Sequence, residues 1–167
     1  TADNVEIADF AIQSTRSGIV IEGGSNVHLH DLTIAEVGNY AIKTTEADVQ
    51  LDDLTLWNNG DGAVNISGGS VEATGLDVRG NEGHSIYVDG AAMLTLSDSE
   101  IVEAQPTDVT AISDGFGVYI DGGSTLMSSN NLYDANTLMG VQSVNGTVEM
   151  TGDIVSGSLS TGIWAEG

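Results

Sequence analysis

Two tyrosine–aspartate pairs are the strongest candidates for binding chemistry in this sequence. Tyr87 is followed two residues later by Asp89, and Tyr119 is followed at the same spacing by Asp121. Residues two apart on a strand point to the same side, so each ring has a carboxylate beside it. Flat aromatic faces with adjacent hydrogen-bond acceptors suit a sugar ring, so these pairs, with Trp164, predict contact with a polysaccharide. The alternative is that strands simply favour Tyr and Trp.

Three aspartates are candidate metal ligands because they recur at a spacing of 22 residues: Asp9, Asp31 and Asp53. Stacked carboxylates repel one another, so their repetition needs a reason. One interpretation is a ladder of calcium ions, which bind hard oxygen ligands, and calcium is the only candidate cofactor. The other interpretation is structural: each carboxylate accepts backbone N–H bonds in a tight bend.

The three histidines allow two further kinds of chemistry. His28 and His30 occupy alternate positions of one predicted strand, where they could chelate a metal ion or be ordinary surface residues. His84 lies in a predicted turn and could act as a general base. That role requires a carboxylate within reach, supplied by Glu82 or by the insertion described below.

Charge and composition exclude several classes of partner. The 167 residues include 25 acidic and only three basic residues, for a net charge of −22. Nucleic acid is excluded because phosphate binding needs clustered Lys and Arg. Anionic membranes and polyanionic sugars are disfavoured unless a cation mediates, and no run of about 20 apolar residues predicts membrane insertion. There is no cysteine, so disulfides are excluded, and the low Lys and high Asp content favours an extracellular or cell-surface setting.

An internal repeat of 22 residues positions these groups. Within Val49–Ser70, short runs with apolar residues at every second position alternate with turn residues, which predicts short strands separated by bends. One such unit cannot bury its apolar side alone, so copies must stack. The first apolar position of the unit recurs through the chain at Val5, Val27, Val49, Val71, Leu94, Leu126 and Val148.

The repeat predicts about seven coils, each with three strands, in a single domain covering residues 1–167. Stacking at about 4.8 Å would give a rod of roughly 35 Å. Coil five carries an insertion at residues 102–116, and the second strand of the last two coils could slip by one residue at Tyr133 and Val155. An outward column of the third strand reads Val20, Lys43, Asn65, Tyr87, Tyr119, Gln142 and Trp164. The only segment with a weak helical pattern is Ile101–Asp108.

The repeat resembles the right-handed parallel β-helix of pectate-lyase-like proteins. The resemblance covers the whole chain and rests on V-x-L-x-D-L-x-I, a turn, and then G-I-x-I-x-G-G-S, as in Gly18–Ser25 and Gly117–Ser124. It implies an all-β solenoid. A leucine-rich repeat fits only the coil containing Asn59. Pectate lyases would imply an Arg or Lys base facing calcium-binding carboxylates, but the three basic residues, Arg16, Lys43 and Arg79, occupy different repeat phases.

These observations favour a non-catalytic scaffold or adhesin-like segment over an enzyme. A polysaccharide lyase or glycoside hydrolase fragment is the first alternative, and a unit that assembles into filaments is the second. The chain starts and stops at the same repeat phase without polar capping repeats, which predicts partners at its ends. Those partners would be further coils of a longer chain or end-to-end copies.

Overall fold

The computed structural model describes residues 3–108 and 114–167, which form nineteen β-strands and contain no helix. The helical interpretation of Ile101–Asp108 is wrong, since a strand ends there at Val102 and irregular chain follows. None of the described segments is a helix able to cross a membrane. The strands are β1 (Val5–Ala8), β2 (Ala11–Gln13), β3 (Ile19–Glu22), β4 (Val27–His30), β5 (Thr33–Ala35), β6 (Tyr40–Asp52), β7 (Thr55–Trp57), β8 (Gly62–Thr74), β9 (Asp77–Arg79), β10 (His84–Asp89), β11 (Met93–Ser97), β12 (Glu100–Val102), β13 (Phe116–Ile120), β14 (Thr125–Ser129), β15 (Leu132–Asp134), β16 (Met139–Val144), β17 (Thr147–Thr151), β18 (Ile154–Ser156) and β19 (Thr161–Glu166).

Every strand pairs in parallel with its equivalent in the next coil. Val5 pairs with Val27, Val27 with Val49, and Val49 with Val71, so the predicted step of 22 residues is confirmed. The second strands form a separate seven-stranded sheet in the order β18-β15-β12-β9-β7-β5-β2. The first and third strands share a twelve-stranded sheet, because β6 and β8 each run for 13 residues through the bend between coils.

The core consists of columns in which equivalent apolar side chains stack directly on one another. Leu56 is fully buried between its partners Ile34 and Val78 in the two adjacent coils. The register that was ambiguous in the last coils is now settled: Tyr133 pairs with Ile101 on one side and Val155 on the other. Burial of these columns supplies the apolar driving force that no isolated coil could provide.

Buried asparagines connect coils at the second bend. Asn59 Oδ1 accepts a hydrogen bond from the Val37 backbone N–H at 3.1 Å. One coil later, Asn81 Oδ1 accepts bonds from the backbone N–H and Nδ2 of Asn59, at 3.0 and 2.8 Å, and Asn81 Nδ2 donates to the Leu56 carbonyl. Each side chain therefore satisfies bend groups that the strand ladder leaves without a partner.

The insertion in coil five is narrower than the predicted range of 102–116. The chain follows coil four through Gln105, whose neighbour across the ladder is Glu82. It rejoins the ladder at Gly115, where the backbone N–H donates to the Gly83 carbonyl at 2.9 Å. The extra chain thus begins after Gln105 and ends at Asp114, and its residues 109–113 lie outside the described part of the chain.

Replacing Leu56 with alanine tests the stacked core. The Leu56→Ala variant should lower the free energy of unfolding by about 2–5 kcal/mol, because it leaves a cavity between two fixed coils. Urea unfolding followed by circular dichroism measures this. Val20→Ala is the matched control because Val20 is 52% exposed, and it should change stability by less than about 0.5 kcal/mol. Equal effects of the two variants would contradict the stacked core.

Replacing Asn81 with alanine tests the asparagine connections. The Asn81→Ala variant should cost about 1–3 kcal/mol, because it leaves the buried Asn59 donors without their acceptor. The control is Asn39→Ala, which removes one partly exposed bond to Ser17 and should cost about 0.5–1 kcal/mol at most. The same denaturation measurement applies, and an unchanged Asn81→Ala midpoint would show that the connections contribute no stability.

Candidate ligand-binding site

The outward column of the third strand is confirmed by strand register. Tyr87 of β10 pairs with Asn65 of β8 on one side and with Tyr119 of β13 on the other. The column continues from Tyr119 to Gln142 and from Gln142 to Trp164. The solenoid therefore brings together two tyrosines that are 32 residues apart in the chain.

Four rings from two adjacent coils meet on this face, and we call them the aromatic strip: His84, Tyr87, Phe116 and Tyr119. The centroids of Tyr87 and Tyr119 lie 5.5 Å apart with their planes 25° from parallel. His84 stacks on Tyr119 at 4.8 Å and 11°, while Phe116 contacts both rings in tilted arrangements. His84 joins the strip because it pairs in register with Phe116, three residues before the tyrosine in each strand.

The stacking changes how the tyrosines can meet a ligand. Tyr119 is stacked by both His84 and Tyr87, two residues of the same strand in coil four, so part of the ring surface of Tyr119 and Tyr87 is covered within the strip. The sequence interpretation required open, flat faces for a sugar ring. Stacking reduces the open face area, and both tyrosines remain partly exposed.

Tyr40 lies two coils before the strip, with Gly62 between Tyr40 and His84, and sequence reasoning missed it. Its ring lies over Gly62, where an added Cβ would come within 2.6 Å of a ring carbon. Its hydroxyl hydrogen-bonds the side chain of Asn65, although burial dominates and raises the pKa of Tyr40 to about 12. The signal was present in the sequence, because a glycine follows Tyr40 one repeat later and leaves room for the ring.

The two predicted aspartates lie beside the tyrosines. Asp89 ends β10, shares a hydrogen bond with Tyr87, and keeps its buried Oδ1 without a partner. Asp121 follows β13, and its Oδ1 accepts the Gly122 backbone N–H at 2.6 Å. Burial raises the pKa of Tyr87, and the negative charges of Asp89 and Asp121 raise it further. Buried Gln142 Oε1 next to Tyr119 also has no partner.

Trp164 does not join the aromatic strip. It is 44% exposed and lies two coils beyond Tyr119, with Gln142 between them. In the described part of the chain it makes no ring contact with the strip. It belongs to the predicted column but not to the cluster that the column forms.

The protein has no histidine–carboxylate pair at His84 within the described residues. The buried Nδ1 of His84 has no partner, and burial lowers the pKa of this histidine against the opposing charge of Asp114. Asp114 instead accepts hydrogen bonds from the backbone N–H and hydroxyl of Thr107. His84 is therefore neutral near pH 7, and Glu82 is exposed on the adjacent bend.

The repeat, the parallel strand ladder and the column of rings that it aligns are all consistent with one protein family. A family model described as the right handed beta helix region matches residues 1–166. The chain belongs to the right-handed β-helix family. The resemblance to pectate-lyase-like proteins is consistent with this result, which establishes the fold of the site but not its ligand.

Two other comparisons add little. No curated protein matches this β-helix. Among solved structures, it is similar to HetL, a pentapeptide repeat protein involved in heterocyst differentiation regulation from the cyanobacterium Nostoc sp. strain PCC 7120. The identity is 10%, with 95% of this chain and 88% of HetL covered, and the TM-score of 0.18 supports no argument.

The aspartate column of this β-helix has a conformational reason. Asp9, Asp31 and Asp53 have φ values of 61°, 53° and 52°, in the left-handed region that Asp, Asn and Gly tolerate best. Gly75 occupies the same position one coil after Asp53. The backbone of the bend thus accounts for these residue types, and among the described residues no backbone N–H donates to the carboxylates of Asp9, Asp31 or Asp53. No group of three or more His, Asp or Glu in the described ranges is placed to hold a metal ion. Calcium binding by the aspartate column stays a prediction.

The two N-terminal histidines each bind a carboxylate of a neighbouring coil, and His30 also binds that of the adjacent residue Asp31. His28 Nε2 lies 2.8 Å from Asp52, and His30 lies 3.0 Å from Glu6 and 2.8 Å from Asp31. Their rings are 4.5 Å apart. Hydrogen bonds, first to Asp31 and then to Glu6, raise the pKa of His30. These contacts join coils one to three as ion pairs when the histidines are protonated.

Histidine titration tests these two opposite environments. The NMR midpoint of His30 should lie above the ordinary value of about 6.5, and that of His84 below it. The raised pKa of His30 adds stability that is present below that ordinary value and lost as pH rises through the folded-state pKa. The lowered pKa of His84 makes the free energy of unfolding depend on pH in the opposite direction. The contribution of His84 is present above the ordinary value of about 6.5 and is lost as pH falls through the folded-state pKa.

The His30→Gln and His84→Gln variants assign the two resonances. Each substitution should remove one titrating signal and leave the other midpoint within about 0.3 units, because the sites lie in separate coils. A reversed order of the midpoints would contradict the described contacts.

Proposed function

We propose that this β-helix is a non-catalytic scaffold, extracellular or at the cell surface, that binds a carbohydrate chain through the aromatic strip. The observation that carries the proposal is the in-register stack of Tyr87 and Tyr119, with Asp89 and Asp121 beside it. A linear array of groups along a rigid rod is suited to an extended polymer. Localisation follows from composition and is part of the proposal.

The hydrogen-bonding groups of this face suit a hydroxyl-rich ligand. Asp89 Oδ1 and Gln142 Oε1 are buried acceptors without partners. Both atoms are closed to solvent, so a ligand meets the exposed parts of this face instead, which include the partly exposed carboxylates of Asp89 and Asp121. The hydroxyl groups of Tyr87 and Tyr119 add sites that both donate and accept. The ring edges between these groups supply apolar contact.

The positions of the basic residues support a non-catalytic role. Arg79 lies in the other sheet, where it pairs with Asp77 and Glu100. Lys43 lies in the same column as the tyrosines but is separated from Tyr87 by Asn65. No arginine or lysine in the described ranges therefore lies next to Asp89 or Asp121 as a lyase-type base would.

A double variant tests glycan binding. Tyr87→Ala/Tyr119→Ala should weaken binding of the recognised oligosaccharide at least about tenfold, because central aromatic contacts dominate binding energy. Isothermal titration calorimetry against neutral, amino and acidic oligosaccharides, with and without calcium, provides the measurement. Trp57→Ala is the matched control, since Trp57 lies in the second-strand sheet and should leave affinity unchanged.

Other outcomes would replace the proposal. An unsaturated product, or new reducing ends, would indicate a lyase or hydrolase instead of a scaffold. Light scattering that rises steeply with protein concentration would favour the filament unit. Equal binding by the double variant and the native protein would remove the aromatic strip as the site.

A further inference from the structure

We propose that the aromatic strip selects a positively charged, amine-bearing carbohydrate chain, such as an oligomer of glucosamine with free amino groups, over neutral and anionic chains. The inference rests on the proposed function and specifies its ligand class. It is carried by the partly exposed carboxylates that flank the rings, their equivalent positions in adjacent coils, and the distance of Lys43.

The ring hydroxyls experience a concentrated negative charge. Asp89 and Asp121 both act on Tyr87, and Asp121 acts on Tyr119. After burial, these charges contribute to raising the pKa of both tyrosines. Asp61 adds to the same field at Tyr40. Two carboxylates from adjacent coils, Asp89 and Asp121, thus flank the strip, where a ligand ammonium group would be attracted and a uronate group repelled.

In the part of the chain that the structure describes, no lysine or arginine pairs with the carboxylates beside the strip. The ion pairs in the described residues use other carboxylates, and none involves Asp61, Asp89 or Asp121. Lys43 is two coils from Tyr87, which corresponds to about 9.6 Å along the solenoid. This separation is close to the screening length at physiological salt, so Lys43 balances little of the charge.

Hydrogen-bonding capacity points in the same direction. The carboxylates of Asp89 and Asp121 are partly exposed, and carboxylate oxygens only accept hydrogen bonds. An ammonium group offers three donors and no acceptor, so it matches these carboxylates in hydrogen bonding and in charge together. A carboxylate-bearing chain offers only acceptors at its charged group, and a neutral chain satisfies hydrogen bonds without the charge.

The repeat adds a reason for a polymeric ligand. Asp89 and Asp121 follow equivalent strand positions in adjacent coils, so their separation is set by the ladder spacing of about 4.8 Å. A chain with one amino group in each sugar can place successive charges along this direction. A single free amine would use only one of these positions, and so should bind more weakly than the oligomer.

Calorimetry with the native protein separates the ligand classes. The probes are glucosamine oligomers, their N-acetylated counterparts and galacturonate oligomers of equal length, at about pH 6, where amino sugars are protonated and Asp is ionised. Two partly exposed ion pairs predict that the free-amine oligomer binds about tenfold more tightly than the acetylated one. The difference should shrink in about 0.5 M salt, and galacturonate should not bind.

Charge-neutralising variants locate the effect. Asp89→Asn/Asp121→Asn should weaken binding of the free-amine oligomer about tenfold and change binding of the acetylated oligomer less than about twofold. Glu72→Gln/Glu149→Gln is the matched control, because it removes the same charge from exposed first-strand positions and should have less than about a twofold effect. Circular dichroism establishes that each variant remains folded.

The outcomes distinguish this inference from the proposed function. Equal affinity for free-amine and acetylated oligomers, both lost in Tyr87→Ala/Tyr119→Ala, overturns charge selection but supports glycan binding. An equal loss in the control variant shows general attraction to an acidic rod and overturns the local site. Absence of binding by every oligomer overturns both proposals. The comparison of the three oligomers uses only the native protein. It therefore tests charge selection even if a variant fails to fold.

Discussion

The parallel hydrogen-bond ladder, with its fixed step of one coil, is the constraint on which the structure depends. Once Val5 pairs with Val27 and Val27 with Val49, every later residue is placed beside its equivalent in the neighbouring coil. Each side chain must then pack against the equivalent side chains of the coils on either side. The same rule produces the leucine and isoleucine columns of the core, the asparagines at the second bend and the rings on the outer face.

Stacking also requires small residues where the chain turns into the third strand. A Cβ at Gly117 would come within 2.5 Å of the Gly140 carbonyl oxygen, so the coils approach too closely there for a larger side chain. The corresponding position is small in every coil: Gly18, Ala41, Ala63, Ser85, Gly117, Gly140 and Gly162. This close approach brings His84 and Phe116, the residues just before it, onto adjacent coils of the strip.

Sequence periodicity was sufficient for the coil count, the first and third strand columns, and the proximity of Tyr87 to Tyr119. It could not show that ring faces would cover one another, because strand alternation gives the side of the sheet but not the side-chain rotamer. His84 was missed for a related reason. The regular alternation breaks at Ser85 and Ile86, both buried, so a residue predicted in a turn begins β10 instead.

Polar replacements inside the core were also beyond the periodic pattern. The leucine column of Leu32, Leu54 and Leu76 continues in later coils as Ser99, Asn131 and Asp153. The repeat pattern alone gives no reason for polar residues at these positions. The structure shows why this is tolerated: Asp153 accepts bonds from Ser128 and from Asn131, and buried Tyr133 shares a bond with Ser128. Buried polar groups persist where each finds a partner.

The way the chain leaves and re-enters coil five has a consequence for change over evolution and for engineering. Thr107 and Asp114 are joined by two hydrogen bonds, and the Gly115 N–H returns to the Gly83 carbonyl as if no extra chain were present. The inserted segment therefore begins and ends at one place next to the aromatic strip. An insertion of a different length could replace this segment without shifting any later coil. A new peptide could therefore be grafted at this position, next to the aromatic strip.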